Sequence, residues 1–281
     1  ENKEATGICL VIDKKYFNDN YLSPVIELNL DNQKQEEKKG NENYKKAKEI
    51  IQKRLGIKNL KIYKLMLSVS ENHVFIGIGG TGGKVLKAIR KRLFQETTEE
   101  ERGKLPLGFI YVDSSMEMMN PKDSPWKVLG GNSQLGEDSF LYIRSAKLSD
   151  QLENVDNYPG ISSWIGSKKI WKNIVGNVGD DGAAAQKRRL GRFLFACSVN
   201  EYEAILKNQV QRVKEISGNT DVTFHVFAGL AGGTGSGSVV DLVAQTRKHY
   251  IPNPTSGLNY KIILYCQIPE QSPLPNWDKG A

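Results

Sequence analysis

Cysteine and histidine are scarce in this sequence, with three of each in 281 residues. Cys9, Cys197 and Cys266 are odd in number and widely spaced. That excludes a disulfide framework or a cysteine-built zinc site and points to a reducing, cytoplasmic setting. His73 and His249 have no partners at ligand spacing, which argues against a metal site built from side chains. Long apolar runs are also missing: stretches such as Ile262 to Cys266 are far too short to span a bilayer. The net charge of +7 suits anionic ligands. It is not gathered into an aromatic-interleaved basic patch, so nucleic acid is an unlikely partner and the histidine at 225, inside an apolar run, reads as packed core. No signal-peptide pattern opens the chain, which begins at Glu1 and ends in what reads as a loop, the pattern expected of a fragment.

What is present is an ordinary globular composition, 39% hydrophobic and 25% charged. Residues 1–65 hold a short apolar run (GICLVI), a Lys/Glu-rich stretch from Asn32 to Asn43, and no recognisable chemistry. They read as an N-terminal extension or the end of a separate module, with a boundary near 65 and one domain over 66–281. From His73 the chain alternates. Strands are expected at His73–Ile78, Leu107–Val112, Val222–Leu230 and Lys261–Ile268, and helices at Lys84–Phe94, Ala183–Asn200, Glu201–Ile216 and Ser238–Tyr250. Alternation of this kind predicts an α/β fold with a parallel sheet covered by helices on both faces and ligands at the carboxyl ends of its strands. The stretch from 116 to 175 shows little periodicity. Its tryptophans, Trp126, Trp164 and Trp171, read mainly as core anchors, and Cys197 and Cys266 as buried thiols.

Two glycine clusters sit at such strand ends. The first, Gly77, Gly79, Gly80, Thr81, Gly82, Gly83 and Lys84, contains G-x-G-x-x-G. Glycine permits tight turns and close backbone approach to phosphate, and the following helix offers free N–H groups. This cluster alone equally fits a dinucleotide site, with Asp113 as the ribose-binding acid. A Walker A reading fails, because Val85 follows Lys84 and Ile78 stands where the first glycine belongs. The second cluster, Gly232, Gly233, Thr234, Gly235, Ser236 and Gly237, places four glycines and two hydroxyls between a strand and a helix. Two glycine turns suit one phosphate chain gripped from two sides better than the single fingerprint of an NAD-binding Rossmann domain.

AGLAGGTGSGS resembles the signature of the tubulin/FtsZ superfamily, and GIGGTGGKVL resembles the first glycine loop of FtsZ-type proteins, upstream of the signature as the family requires. YVDSS is similar to the second loop, which brings in Asp113 and Ser114; GAAAQKRRLGR is similar to a divergent third loop, which brings in Ala184 and Arg192; YCQIPEQ is similar to the fifth, with Pro269 and Glu270. Together they cover about Met66 to Gln271, and the closest likeness is to bacterial tubulin-like proteins outside the FtsZ group.

The resemblance implies a Rossmann-like GTPase domain of tubulin type that binds GTP or GDP, with Mg²⁺ carried on the phosphates. It further implies head-to-tail homo-oligomers or filaments of a full-length protein, in which a neighbouring subunit's acidic loop completes GTP hydrolysis. That acidic loop follows a central helix beyond Ala281, so the domain is expected to be truncated at its C-terminus and its catalytic residues are not assignable here. Three departures stand out. Lys84 occupies a position usually held by Asn, which leaves the choice between GTP and ATP open. The span from Asp113 to the third loop is long, and an extension precedes the domain. The latter two favour an alternative, a non-polymerising nucleotide-binding regulatory or scaffold module.

Overall fold

The computed structural model describes residues 71–120, 126–128, 131–144, 148–157, 159–167, 169–171, 184, 187–250 and 259–268. Contacts divide the chain into two units, Glu1–Tyr63 and Lys64–Ala281, and all the described residues belong to the second.

The second unit is built on a parallel sheet of five strands among the described residues. In chain order these are β1 (Asn72–Ile78), β2 (Leu107–Asp113), β5 (Phe140–Tyr142), β6 (Val222–Gly229) and β7 (Tyr260–Gln267), arranged β5-β2-β1-β6-β7. A small antiparallel ribbon, β3 (Lys127–Val128) with β4 (Gly131–Asn132), lies between β2 and β5 in sequence. The helices are α1 (Gly79–Glu96), α2 (Glu99–Gly103), α3 (Leu148–Glu153), α4 (Pro159–Ile165), α5 (Arg188–Cys197), α6 (Val199–Ser217) and α7 (Thr234–His249).

Alternate strand residues sort cleanly onto two faces. Val74, Ile76 and Ile78 of β1 and Val222, Phe224 and Val226 of β6 bury against Leu190, Phe193 and Leu194 of α5, Leu206 and Val213 of α6, and Val239 and Leu242 of α7. On the opposite face Phe109, Tyr111 and Leu86 of α1 form a second core with Trp126, Met119 and Leu135. Helices therefore cover both faces, as the α/β reading requires. Trp126 is fully buried and Trp171 nearly so, which makes both core anchors.

Several expectations shift. A three-residue strand, β5, joins the sheet edge from the stretch where no periodicity was visible, pairing Tyr111 with Phe140 through Asp113 with Tyr142. Three residues are too few to reveal a period of two. The helix expected from Ala183 begins only at Arg188, and the next starts at Val199 after a break at Ser198. Cys266 is exposed rather than buried, because β7 is an edge strand among the described residues. His225, expected as packed core, is half-buried, with Nε2 3.0 Å from Nδ1 of His73 and Nδ1 3.1 Å from the Tyr265 hydroxyl.

Candidate functional site

β1 lies between β2 and β6, and the chain runs outward from it in one direction before returning to the other side. The boundary between β1 and β6 is thus the point where strand order reverses, the place where open parallel sheets carry their ligand cleft. Ile78 pairs with Ala228 there, so the turns leaving β1 and β6 emerge side by side.

Both glycine clusters turn out to be helix starts more than loops. Helix α1 begins at Gly79, five residues before the expected start, and α7 begins at Thr234, inside the cluster. The reason is steric. A Cβ on Gly79, whose φ is +66°, would lie 2.9 Å from the Gly235 nitrogen, and one on Gly82 would lie 2.6 Å from the Phe227 carbonyl oxygen. Gly83 has the Tyr111 ring against it at 2.7 Å, and Gly77 packs on the Gly82 backbone at 2.6 Å. A side chain at Gly79 would push the starts of α1 and α7 apart, and side chains at Gly77, Gly82 or Gly83 would lift α1 off the sheet, so these glycines set how closely α1 meets α7 and the strands beneath it. Gly80 and Gly232, by contrast, have no atom within 4 Å of a Cβ and face open space. Lys84 is exposed, Thr81 is half-buried with its hydroxyl group against Gly229, and Ser236 hydrogen-bonds back to the Gly232 carbonyl.

A third helix start joins them. Gly191 of α5 packs on the Gly233 carbonyl, Gly237 packs on the Arg188 carbonyl, and Arg188 donates to the Leu230 carbonyl at 3.2 Å. Gly237 thus serves helix-to-helix contact. None of α1, α5 and α7 has a side-chain N-cap or an acidic residue in its first turn. The chain does cap elsewhere: α2 carries a complete capping box, Thr98 with Glu101, and acids at Glu99 and Glu100. Uncapped helix N-termini present unsatisfied N–H groups and a positive dipole end.

Asp113 and Ser114 close the floor. Asp113 is buried at the end of β2, where Oδ2 accepts from the Tyr111 hydroxyl at 2.5 Å and Oδ1 from the N–H groups of Ser114 at 2.7 Å and Ser115 at 3.3 Å. Burial pushes its carboxyl pKa up, opposed by those hydrogen bonds. The same burial, with the Asp113 charge beside it, raises the Tyr111 phenol. Ser114 Oγ lies 2.8 Å from Thr234 Oγ1 and accepts from the Ala184 N–H at 3.0 Å. The sequence singles out Asp113 and Ser114 but not Tyr111, although two residues' separation on a strand already places Tyr111 and Asp113 on one face.

Arg192 is taken up elsewhere. Its Nε donates to Asp241 Oδ2 at 2.6 Å and Nη2 to Oδ1 at 3.0 Å, and its guanidinium lies 4.2 Å from the Trp164 ring centroid. Reaching a phosphate would require breaking that bidentate pair. Pro269 and Glu270 lie outside the described residues. Among the described residues no group of three His, Cys, Asp or Glu side chains is placed to hold a metal ion, and no helix is long and apolar enough to cross a membrane.

A parallel sheet with helices on both faces and glycine-bearing helix starts meeting at its switch point defines a doubly wound α/β protein. Comparison with protein families narrows this: a family model described as tubulin-like matches residues 74–281, and the chain belongs to that family. No curated protein and no solved structure matches it.

Proposed function

We propose that the cleft between β1 and β6 binds a guanine nucleotide, GTP or GDP, through its phosphates. The observation that carries this reading is the convergence of three uncapped, acid-free helix N-termini, those of α1, α5 and α7, on one edge of the sheet. An oxyanion placed there accepts the free N–H groups and balances three dipole ends. Gly80 and Gly232, open on the same edge, leave room for close approach. The binding set is then Gly79 to Lys84 on one side and Gly232 to Ser236 on the other, with Asp113, Ser114 and Ala184 supporting from below. Asp113, with both oxygens engaged, is poorly placed to ligate a metal directly, so Mg²⁺ would ride on phosphate oxygens and water.

Family membership supports a further step. In a full-length protein, subunits would stack head to tail and a neighbour's acidic group would position water against the terminal phosphate, with charge stabilisation and orientation doing the catalysis. Titration with fluorescent GTP, ATP and NADH analogues tests the binding reading. Saturable GTP binding is expected, and a protein that binds neither GTP nor ATP overturns it. Nucleotide-dependent light scattering of the full-length protein separates assembly from the scaffold alternative.

A further inference from the structure

Thr234 opens the signature helix, and its hydroxyl group belongs among those expected to touch phosphate. The structure turns it inward. Its Oγ1 is 2.8 Å from Ser114 Oγ, a pair in which either hydroxyl can donate. The Ala184 N–H can only donate, so Ser114 Oγ accepts from it at 3.0 Å. Ser114 in turn donates its own N–H to Asp113 Oδ1 at 2.7 Å, and Asp113 Oδ2 accepts from the Tyr111 hydroxyl at 2.5 Å. One hydrogen-bonded run therefore joins the Ala184 amide, the two hydroxyls and the end of β2. Asp113, Ser114 and Thr234 are all buried.

Ala184 is the far end of this run and is held by each of its groups. Its N–H goes to Ser114, its carbonyl accepts from the Lys187 N–H at 2.7 Å, and its methyl is buried in the core. Four residues later α5 begins, with Gly191 seated on Gly233. The hydroxyl pair therefore joins the segment entering α5 to the first turn of α7.

We propose that Ser114 and Thr234, anchored on Asp113, are positioning residues of the anion site: they clamp the Ala184 segment to the start of α7 and so set the third helix N-terminus beside the other two. This rests on the reading that the cleft binds nucleotide phosphate.

The test uses the whole chain labelled with [¹⁵N]alanine, comparing Ser114→Ala, Thr234→Val and Thr234→Ser with the parent. Two quantities are read: hydrogen exchange at the Ala184 amide, with Ala228 in the β6 ladder as internal control, and affinity for fluorescent GTP. Ser114→Ala and Thr234→Val are expected to speed Ala184 exchange and weaken GTP binding by about five- to tenfold each, the value of one lost hydrogen bond. Ala228 exchange stays unchanged, and Thr234→Ser, which keeps the hydroxyl, restores both. A structural role alone would not predict rescue by serine together with a change confined to Ala184. Parent-like Ala184 exchange in Thr234→Val, or a Thr234→Ser variant as weak as Thr234→Val, overturns the clamp. Thr234→Val preserves side-chain shape, so it carries the test if Ser114→Ala fails to fold. A parent protein that binds no nucleotide overturns the binding reading instead, while Ala184 exchange still decides whether the clamp exists.

Discussion

Gly80 and Gly82 are two residues apart in the first turns of α1 and look interchangeable in the sequence, yet alanine at each should move stability in opposite directions. At Gly80 an added Cβ meets nothing within 4 Å. The substitution then only removes glycine's excess backbone entropy in a helix, a gain of about 0.5–1 kcal/mol. At Gly82 the Cβ would stand 2.6 Å from both the Gly77 carbonyl carbon and the Phe227 carbonyl oxygen. Both are backbone atoms of paired strands and cannot rotate away, so α1 must lift off the sheet. Overpacking of this kind costs about 1–3 kcal/mol, and the helix gain offsets only part of it. The helix gain is common to both, so the two variants should differ by the overpacking cost, about 1–3 kcal/mol. Urea unfolding followed by far-ultraviolet circular dichroism reads this directly: with an m-value of about 1–3 kcal/mol/M, the midpoints separate by about 1 M, the parent lying between them with m unchanged. A Gly82→Ala protein as stable as the parent, or a destabilised Gly80→Ala, would refute the claim that Gly82 sets the approach of α1 to β1 and β6.

Two further outcomes follow from the side chains. Arg192→Ala removes a partly exposed ion pair with Asp241 and the contact with Trp164, and should lower stability by about 1 kcal/mol with nucleotide affinity unchanged. A large loss of affinity without loss of stability would instead put the guanidinium on the phosphate. His225 is pushed down to about 4 by burial and by the neighbouring His73 and Lys261, whereas an unfolded imidazole titrates near 6.5. Below that value the unfolded chain takes up a proton that the folded one resists, so this contribution is present above about pH 6.5 and lost as pH falls toward 4. His73, also lowered by burial, acts in the same sense. His225→Phe, which keeps the stack on Phe75, should flatten the pH dependence of the denaturation midpoint, and an unaltered slope would count against the assignment.

Much of the frame was legible in the residues. The four longer strands lie within a residue or two of their expected limits, because runs such as His73–Ile78 and Val222–Gly229 are bounded by glycine or polar residues, with one face buried and the other half-buried. The starts of α1 and α7 were expected too late for one reason: glycine is read as a helix breaker, but here it is selected by close packing of the helix starts, a long-range fact that local propensity does not contain. The Gly237 contact with α5 and the capture of Arg192 by Asp241 were hidden for the same reason, since each depends on a partner 45 or more residues away. The inward turn of Thr234 was equally invisible, because a hydroxyl beside glycines suits a phosphate and a buried serine alike.

The missing caps on α1, α5 and α7 have a thermodynamic consequence. A helix whose first N–H groups lack side-chain partners depends on whatever the solvent supplies. An anion bound at this edge acts as a shared cap for three helices, and ligand that binds only the folded chain adds stability as RT ln(1 + [L]/Kd), about 2.7 kcal/mol at a hundredfold excess over Kd. On the proposed function, the fold's resistance to unfolding would then depend on the concentration of phosphate-bearing ligand around it as well as on its own contacts, and nucleotide supply would be read out in the chain's persistence.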